Sequence, residues 1–78
     1  MINLTRREQQ VLFYIYEELS NVQIADELGI TKSTVDKYRR NLLWKFDAKN
    51  IVGVIRRSHE QGILPMSDPS QFNDEQSI

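Results

Sequence analysis

Lys37 and Arg40 lie three residues apart in a segment, residues 29–45, that holds five basic side chains and one acidic one. At that spacing two residues share one face of a helix, one turn apart. Their side chains can donate hydrogen bonds to O6 and N7 of guanine, and Asp36 between them can accept one from N4 of cytosine. The chemistry that these residue types offer is recognition of a nucleic acid.

The same segment has an apolar side that would attach it to a protein core. With 100° per residue, an inward side formed by Val35, Tyr38, Leu42 and Phe46 predicts an outward side on the opposite face of the helix. Ser33, Lys37, Arg40 and Trp44 lie on that outward side, and Lys32, Asp36 and Asn41 flank it. Trp44 has two possible roles, contact with sugar and phosphate at a groove edge or packing on a neighbouring helix. Packing is favoured, because a lone tryptophan is usually mostly buried.

Capping signals show which elements must position this segment. The sequences T-R-R-E at 5–8 and S-N-V-Q at 20–23 are capping boxes, and they predict helices that begin near residues 6 and 21. Thr31 can cap a third helix that begins near residue 32. Asn50 is the candidate cap of a fourth helix, over about residues 51–61.

Apolar residues recur at helical spacing within each of these segments, so the predicted fold is all-α with four helices around one core. We expect a single domain over residues 1–64, because a chain of 78 residues is too short for a second core. Residues 65–78, with two prolines and three acids, are predicted to form a flexible acidic tail. The residues predicted to face the core are Val11, Leu12, Ile15, Leu19, Ile24, Ala25, Leu28, Val35, Tyr38, Leu42, Phe46, Val54, Ile55 and Ser58.

Composition argues against several classes of protein. The chain has no cysteine and one histidine, so disulfides, thiolate zinc sites and metal cages of several histidines are excluded. His59 and the neighbouring Ser58 do not form a recognisable catalytic set, and we expect neither enzymatic activity nor a cofactor. No apolar run is long enough for a membrane span, and the first residues lack the apolar region of a signal peptide. A cytoplasmic protein is therefore expected.

Charge is unevenly distributed along the chain. Residues 8–30 sum to −5, residues 31–57 to +6 and residues 65–78 to −3, within a formal net charge of −1. A polarised distribution of this kind indicates a polyanionic partner for one face. The acidic tail is expected to be solvated, and an alternative is that it competes with DNA for the third helix.

A short helix, a tight turn at Gly29 and a second helix rich in bases form a pattern typical of the helix-turn-helix. The segment LTRREQQVLFYIYEELSNVQIADELGITKSTVDKYRRNLLWKF resembles the LuxR/GerE-type DNA-binding domain. The shared motifs are L-T-x-R-E, L-S-N-x-x-I-A, L-x-I-S/T, T-V and N-[IL]-x-x-K-[LF], and the resemblance extends from Leu4 to about Leu64.

The resemblance implies a transcription regulator whose third helix, about residues 32–46, reads double-stranded DNA in the major groove, and whose fourth helix mediates homodimer formation. Members usually follow a sensor or receiver domain. If Met1 is the natural start, this chain is similar to the small stand-alone members, controlled by its abundance or by a partner. Thr34, at the threonine of the T-V motif, would donate to a phosphate. The predicted DNA-binding residues are then Lys32, Ser33, Thr34, Asp36, Lys37, Arg40 and Asn41.

The predicted dimer interface consists of Val52, Ile55, Arg56 and His59, although Ile55 can equally complete the core. A second hypothesis is a protein-interaction module that uses the helix-turn-helix fold to bind another regulator or RNA polymerase. The charge of only +2 over residues 1–64 is compatible with it. A third hypothesis is the detached DNA-binding end of a recombinase.

Overall fold

Helices form wherever the capping signals place them. A computed structural model describes residues 2–67, and this range contains helices and no strand. The predicted helix starts at residues 6, 21 and 32 are confirmed, and the fourth helix ends one residue before its predicted end. The helices are α1 (Arg6–Tyr16), α2 (Asn21–Leu28), α3 (Lys32–Lys45) and α4 (Ile51–Glu60).

Both predicted capping boxes are present. The Thr5 hydroxyl accepts a hydrogen bond from the Glu8 amide at 3.1 Å, and the Glu8 carboxylate accepts one from the Thr5 amide at 2.9 Å. Ser20 and Gln23 exchange the equivalent bonds at 3.2 and 2.8 Å. Each box satisfies two backbone donors that a helix start leaves without an intrahelical partner.

The remaining ends follow the same chemistry. The Thr31 hydroxyl accepts from the Thr34 amide at 3.2 Å, and the Asn50 side chain accepts from the Gly53 amide at 3.0 Å. Gly29 ends α2 with φ of 67°, a left-handed conformation that glycine adopts without strain. This turn leaves only Ile30 and Thr31 before α3 begins, which sets the angle of a helix-turn-helix.

The buried apolar residues come from all four helices and from the segment after α4. Leu64 is 3 % exposed, because the amides of Ile63 and Leu64 donate to the Ser58 carbonyl at 2.8 and 3.2 Å and turn the chain back. Met66 packs against the same cluster. From residue 68 onward, the predicted acidic tail lies outside the described residues. The core consists of Val11, Leu12, Ile15, Ile24, Ala25, Val35, Leu42, Phe46, Val54 and Leu64.

A partly buried ion pair joins the first turn of α1 to the last turn of α3. The Lys45 ammonium lies 2.7 Å from the Glu8 carboxylate and also donates to the Asn3 carbonyl at 2.9 Å. The Glu8 residue is only 4 % exposed. Burial raises the pKa of this carboxyl, but hydrogen bonds from Lys45 and the Thr5 amide, together with the Lys45 charge, outweigh burial and lower the pKa below its ordinary value. Glu8 is therefore charged at neutral pH and ties α3 to α1.

We expect Glu8→Gln to lower the free energy of unfolding at pH 7 by about 1 to 3 kcal/mol, measured by urea denaturation. Glutamine can still accept the Thr5 amide, so the loss reports the missing charge. Because the pKa of Glu8 is lowered in the folded state, the stability that the carboxylate contributes is present at neutral pH. It is lost as the pH falls through that lowered pKa, so the two proteins should converge in acid.

The matched control is Glu17→Gln, which removes the same charge from an exposed position at the end of α1. Its effect on unfolding should stay within about 0.5 kcal/mol at every pH. Equal stability of Glu8→Gln and the unaltered protein at pH 7 would contradict the role given to this ion pair.

Candidate nucleic-acid interface

The orientation of α3 is fixed by its buried side. Val35 and Leu42 are fully buried, and Phe46, which caps the helix, is 2 % exposed. The side chains on the opposite face of α3 therefore point to solvent. The structure brings all seven predicted DNA-binding residues onto this one helix: Lys32, Ser33, Lys37 and Arg40 are exposed, and Thr34, Asp36 and Asn41 are half-buried.

Lys37 and Arg40 are the cations that remain available on this face. Within residues 2–67 neither of them forms an ion pair with a carboxylate. Their donors are consequently free for an incoming acceptor. A side chain already paired with an acid would first have to give up that pair.

Asp36 is held from two sides. The amide group of Asn21 donates to one carboxylate oxygen, and the Lys32 ammonium lies 3.5 Å from the other. Asn21 is the first residue of α2, so this contact fixes the start of α2 against the second turn of α3. Sequence reasoning missed Asn21, because no helical periodicity relates two residues that are 15 positions apart. The packing of α2 on α3 in a helix-turn-helix was the signal that could have found it.

Three hydroxyl groups cluster at the start of α3. The Thr31 oxygen lies 2.8 Å from the Thr34 oxygen and 3.1 Å from the Ser33 oxygen. The cluster lies beside the positive end of the α3 dipole, where hydroxyl and amide donors favour an anion. Thr31 was not among the predicted DNA-binding residues. It belongs to the same surface, because it caps α3 and its hydroxyl contacts those of Ser33 and Thr34.

The last turn of α3 differs from the sequence-based interpretation. Lys45, one of the five bases of residues 29–45, is not available to a ligand, because it is bound to Glu8 and to the Asn3 carbonyl. The expectation that Trp44 packs on a neighbouring helix is wrong, since this residue is 81 % exposed. The average burial of tryptophan did not apply, because the positions that meet the core, Leu42 and Phe46, lie on the other side of the helix.

The residues predicted for dimer formation lie on α4 with different exposures. Val52 is 70 % exposed, and Arg56 and His59 are also at the surface. Ile55 is half-buried and packs against the core. The His59 ring meets the Tyr16 ring of α1 edge-on at 5.7 Å between centroids. Val52 and Arg56 are thus free for a partner, whereas Ile55 and His59 already have contacts within the fold.

Among residues 2–67, no helix combines the length and apolar character that a membrane crossing requires. The same described range contains no group of three or more histidine, aspartate or glutamate side chains placed to hold a metal ion.

Comparison with known proteins gives consistent matches. The chain is 37% identical over 65 residues to transcriptional regulatory protein FixJ of Azorhizobium caulinodans, covering 83% of this chain and 31% of that protein. It is 39% identical over 61 residues to MctR of Rhizobium johnstonii, covering 78% of this chain and 28% of MctR. It is also 39% identical over 59 residues to DesR of Bacillus subtilis, covering 76% of this chain and 30% of DesR. The chain therefore spans about a third of the length of these relatives.

A solved structure, described as the phage VqmA–DPO complex, superposes with a TM-score of 0.79 at 29% sequence identity. The superposed region covers 94% of this chain and 34% of the chain in the solved structure. The model of the family described as "Bacterial regulatory proteins, luxR family" matches residues 2–58. This match includes α1, α2, α3 and most of α4, and the chain belongs to the luxR family of bacterial regulatory proteins.

Proposed function

We propose that this protein is a DNA-binding transcription regulator that recognises a specific sequence of double-stranded DNA through α3. One observation carries the proposal: α3 buries its apolar side and presents Lys37 and Arg40 to solvent without a carboxylate partner in the described chain. Membership of the luxR family supports it. So do the names of FixJ, MctR and DesR, which are transcriptional regulatory proteins.

Base contacts in the major groove suit the exposed face of α3. The groove is about 12 Å wide and accepts an α-helix. In this arrangement Lys37 and Arg40 donate to guanine, and Asp36 accepts from an amino group of cytosine. Asn21 restrains the Asp36 carboxylate, which reduces the conformational freedom lost when a base is bound.

Phosphate contacts would come from the start of α3 and from its flanks. The Thr34 hydroxyl can turn from Thr31 to a phosphate oxygen. Ser33 lies in the first turn of α3, and Lys32 and Asn41 flank the outward side that carries Lys37 and Arg40. These contacts position the helix without reading sequence. Each phosphate neutralised by a cation releases counterions, so we expect affinity to fall steeply with salt.

The assembly that we propose is a homodimer formed through α4, which places two copies of α3 on half-sites about 34 Å apart, one turn of DNA. Val52 supports this, because an exposed valine beside Arg56 provides an apolar contact with a polar rim. Such a regulator acts in the cytoplasm, and RNA polymerase is a further proposed partner.

Selection of bound fragments from random duplex DNA tests the proposal. The expected outcome is an enriched consensus with dyad symmetry, bound with affinity that decreases as salt increases. If no duplex is retained even at low ionic strength, the proposal fails, and the protein-interaction module becomes the better description. Capture of a protein partner that is insensitive to substitutions in α3 would then be expected.

Arg40→Ala should weaken binding to the selected sequence by about 1 to 3 kcal/mol and relax discrimination at one base pair, measured by fluorescence anisotropy with matched and mismatched duplexes. Arg57→Ala is the control, since it removes the same charge from an exposed position of α4 and should leave discrimination unchanged. If Arg40→Ala discriminates between sites as the unaltered protein does, Arg40 does not read a base.

Val52→Glu should convert the protein to a monomer in sedimentation measurements and weaken binding to a duplex with two half-sites more than binding to a single half-site. A charge without a partner at the centre of an interface costs several kcal/mol. Val22→Glu, the same change at an exposed valine of α2, controls for the oligomeric state. Identical sedimentation of both variants would remove α4 as the dimer interface.

A further inference from the structure

Trp44 is the one tryptophan of the chain and one of its most exposed apolar side chains, with 81 % of its surface accessible. Solvent exposure of an indole forgoes the free energy that its burial would contribute. Scattered apolar residues are common at protein surfaces, but tryptophan is enriched where proteins bind partners. Trp44 lies on α3, the helix to which the proposed function assigns DNA binding, so DNA is the partner to consider.

Trp44 continues the outward row of side chains on α3 that includes Lys37 and Arg40, to which the proposed function assigns base contacts. With 100° per residue, Ser33, Lys37, Arg40 and Trp44 fall within about 60° of one another around the helix. At a rise of 1.5 Å per residue, Trp44 lies about 18 Å along α3 from Lys32. The major groove is about 12 Å wide. If the first turns of α3 lie in the groove, Trp44 reaches the sugar-phosphate wall.

The neighbours of Trp44 determine the kind of contact. Lys45 cannot serve a phosphate without leaving Glu8 and the Asn3 carbonyl. Asp47, which lines the same concave surface as Trp44, carries an exposed carboxylate that repels phosphate. At this end of α3 the surface therefore fits an uncharged, partly apolar group, and the deoxyribose edge of the DNA backbone has that chemistry.

We infer that Trp44 is a sequence-independent DNA contact, whose indole packs on deoxyribose at the edge of the major groove and fixes how far α3 extends across it. The inference rests on the proposed function and adds a binding residue that carries no charge. Two consequences follow. Loss of the indole lowers the affinity of the protein for every duplex by the same factor. It leaves the salt dependence of binding unchanged, because no phosphate contact is lost.

The first measurement is binding of a fluorescein-labelled duplex of about 30 base pairs with random sequence, at several low salt concentrations. Trp44→Ala should bind about 5- to 20-fold more weakly with an unchanged salt slope, as expected for the loss of a modest apolar contact. Trp44→Phe, which keeps an aromatic ring, should stay within about threefold of the unaltered protein. Because Trp44 is exposed, both variants should stay folded, and circular dichroism checks this.

The second measurement uses Trp44 as its own reporter. Quenching of its fluorescence by acrylamide should decrease when the unaltered full chain is saturated with the duplex, and should not change with protein concentration in the absence of DNA. Shielding that rises with protein concentration alone would assign the indole to a second copy of the chain and overturn the inference.

The two proposals fail in different ways. If the duplex binds but Trp44 stays fully quenchable and Trp44→Ala retains full affinity, the inference is wrong while the proposed function stands. If the unaltered protein binds no duplex at all, the proposed function fails and this inference fails with it.

Discussion

Burial of one side of α3 is the constraint on which the rest of the molecule depends. Val35, Leu42 and Phe46 fit into the core from the first turn of the helix to its end, so the helix cannot rotate about its axis without exposing them. Lys45 adds a fixed point at the last turn through Glu8. The direction in which Lys37 and Arg40 point follows from this attachment.

The features that could be predicted from the sequence are those set by local physics. A capping hydroxyl and the amide that it binds are three residues apart, as at Thr5 and Thr31, and apolar periodicity is a property of single helices. The starts and inward faces of the four helices could therefore be obtained before any tertiary contact was known, whereas the end of α1 at Tyr16 was not predicted. The same periodicity placed Lys37 and Arg40 outward, as the structure shows.

Contacts between helices were beyond that reasoning. Glu8 and Lys45 are 37 residues apart, and Asn21 and Asp36 are 15 apart, so their pairing depends on how the helices pack. The sequence pattern counted Lys32 and Lys45 among the bases of a cationic segment, whereas both have acidic partners in the fold. Trp44 illustrates a different limit, because the burial of a residue type averaged over many proteins does not decide the position of one side chain.

The core does not end with the segment that the luxR family model matches. That match stops at residue 58, whereas Leu64 is buried and Met66 packs against the core, after the Ser58 carbonyl turns the chain back. A chimera that grafts this domain onto another protein should therefore keep the chain through Met66. A splice at the family boundary would remove Leu64 and Met66 and expose the part of the core that they cover, and the chimera would tend to aggregate for reasons unrelated to its DNA specificity.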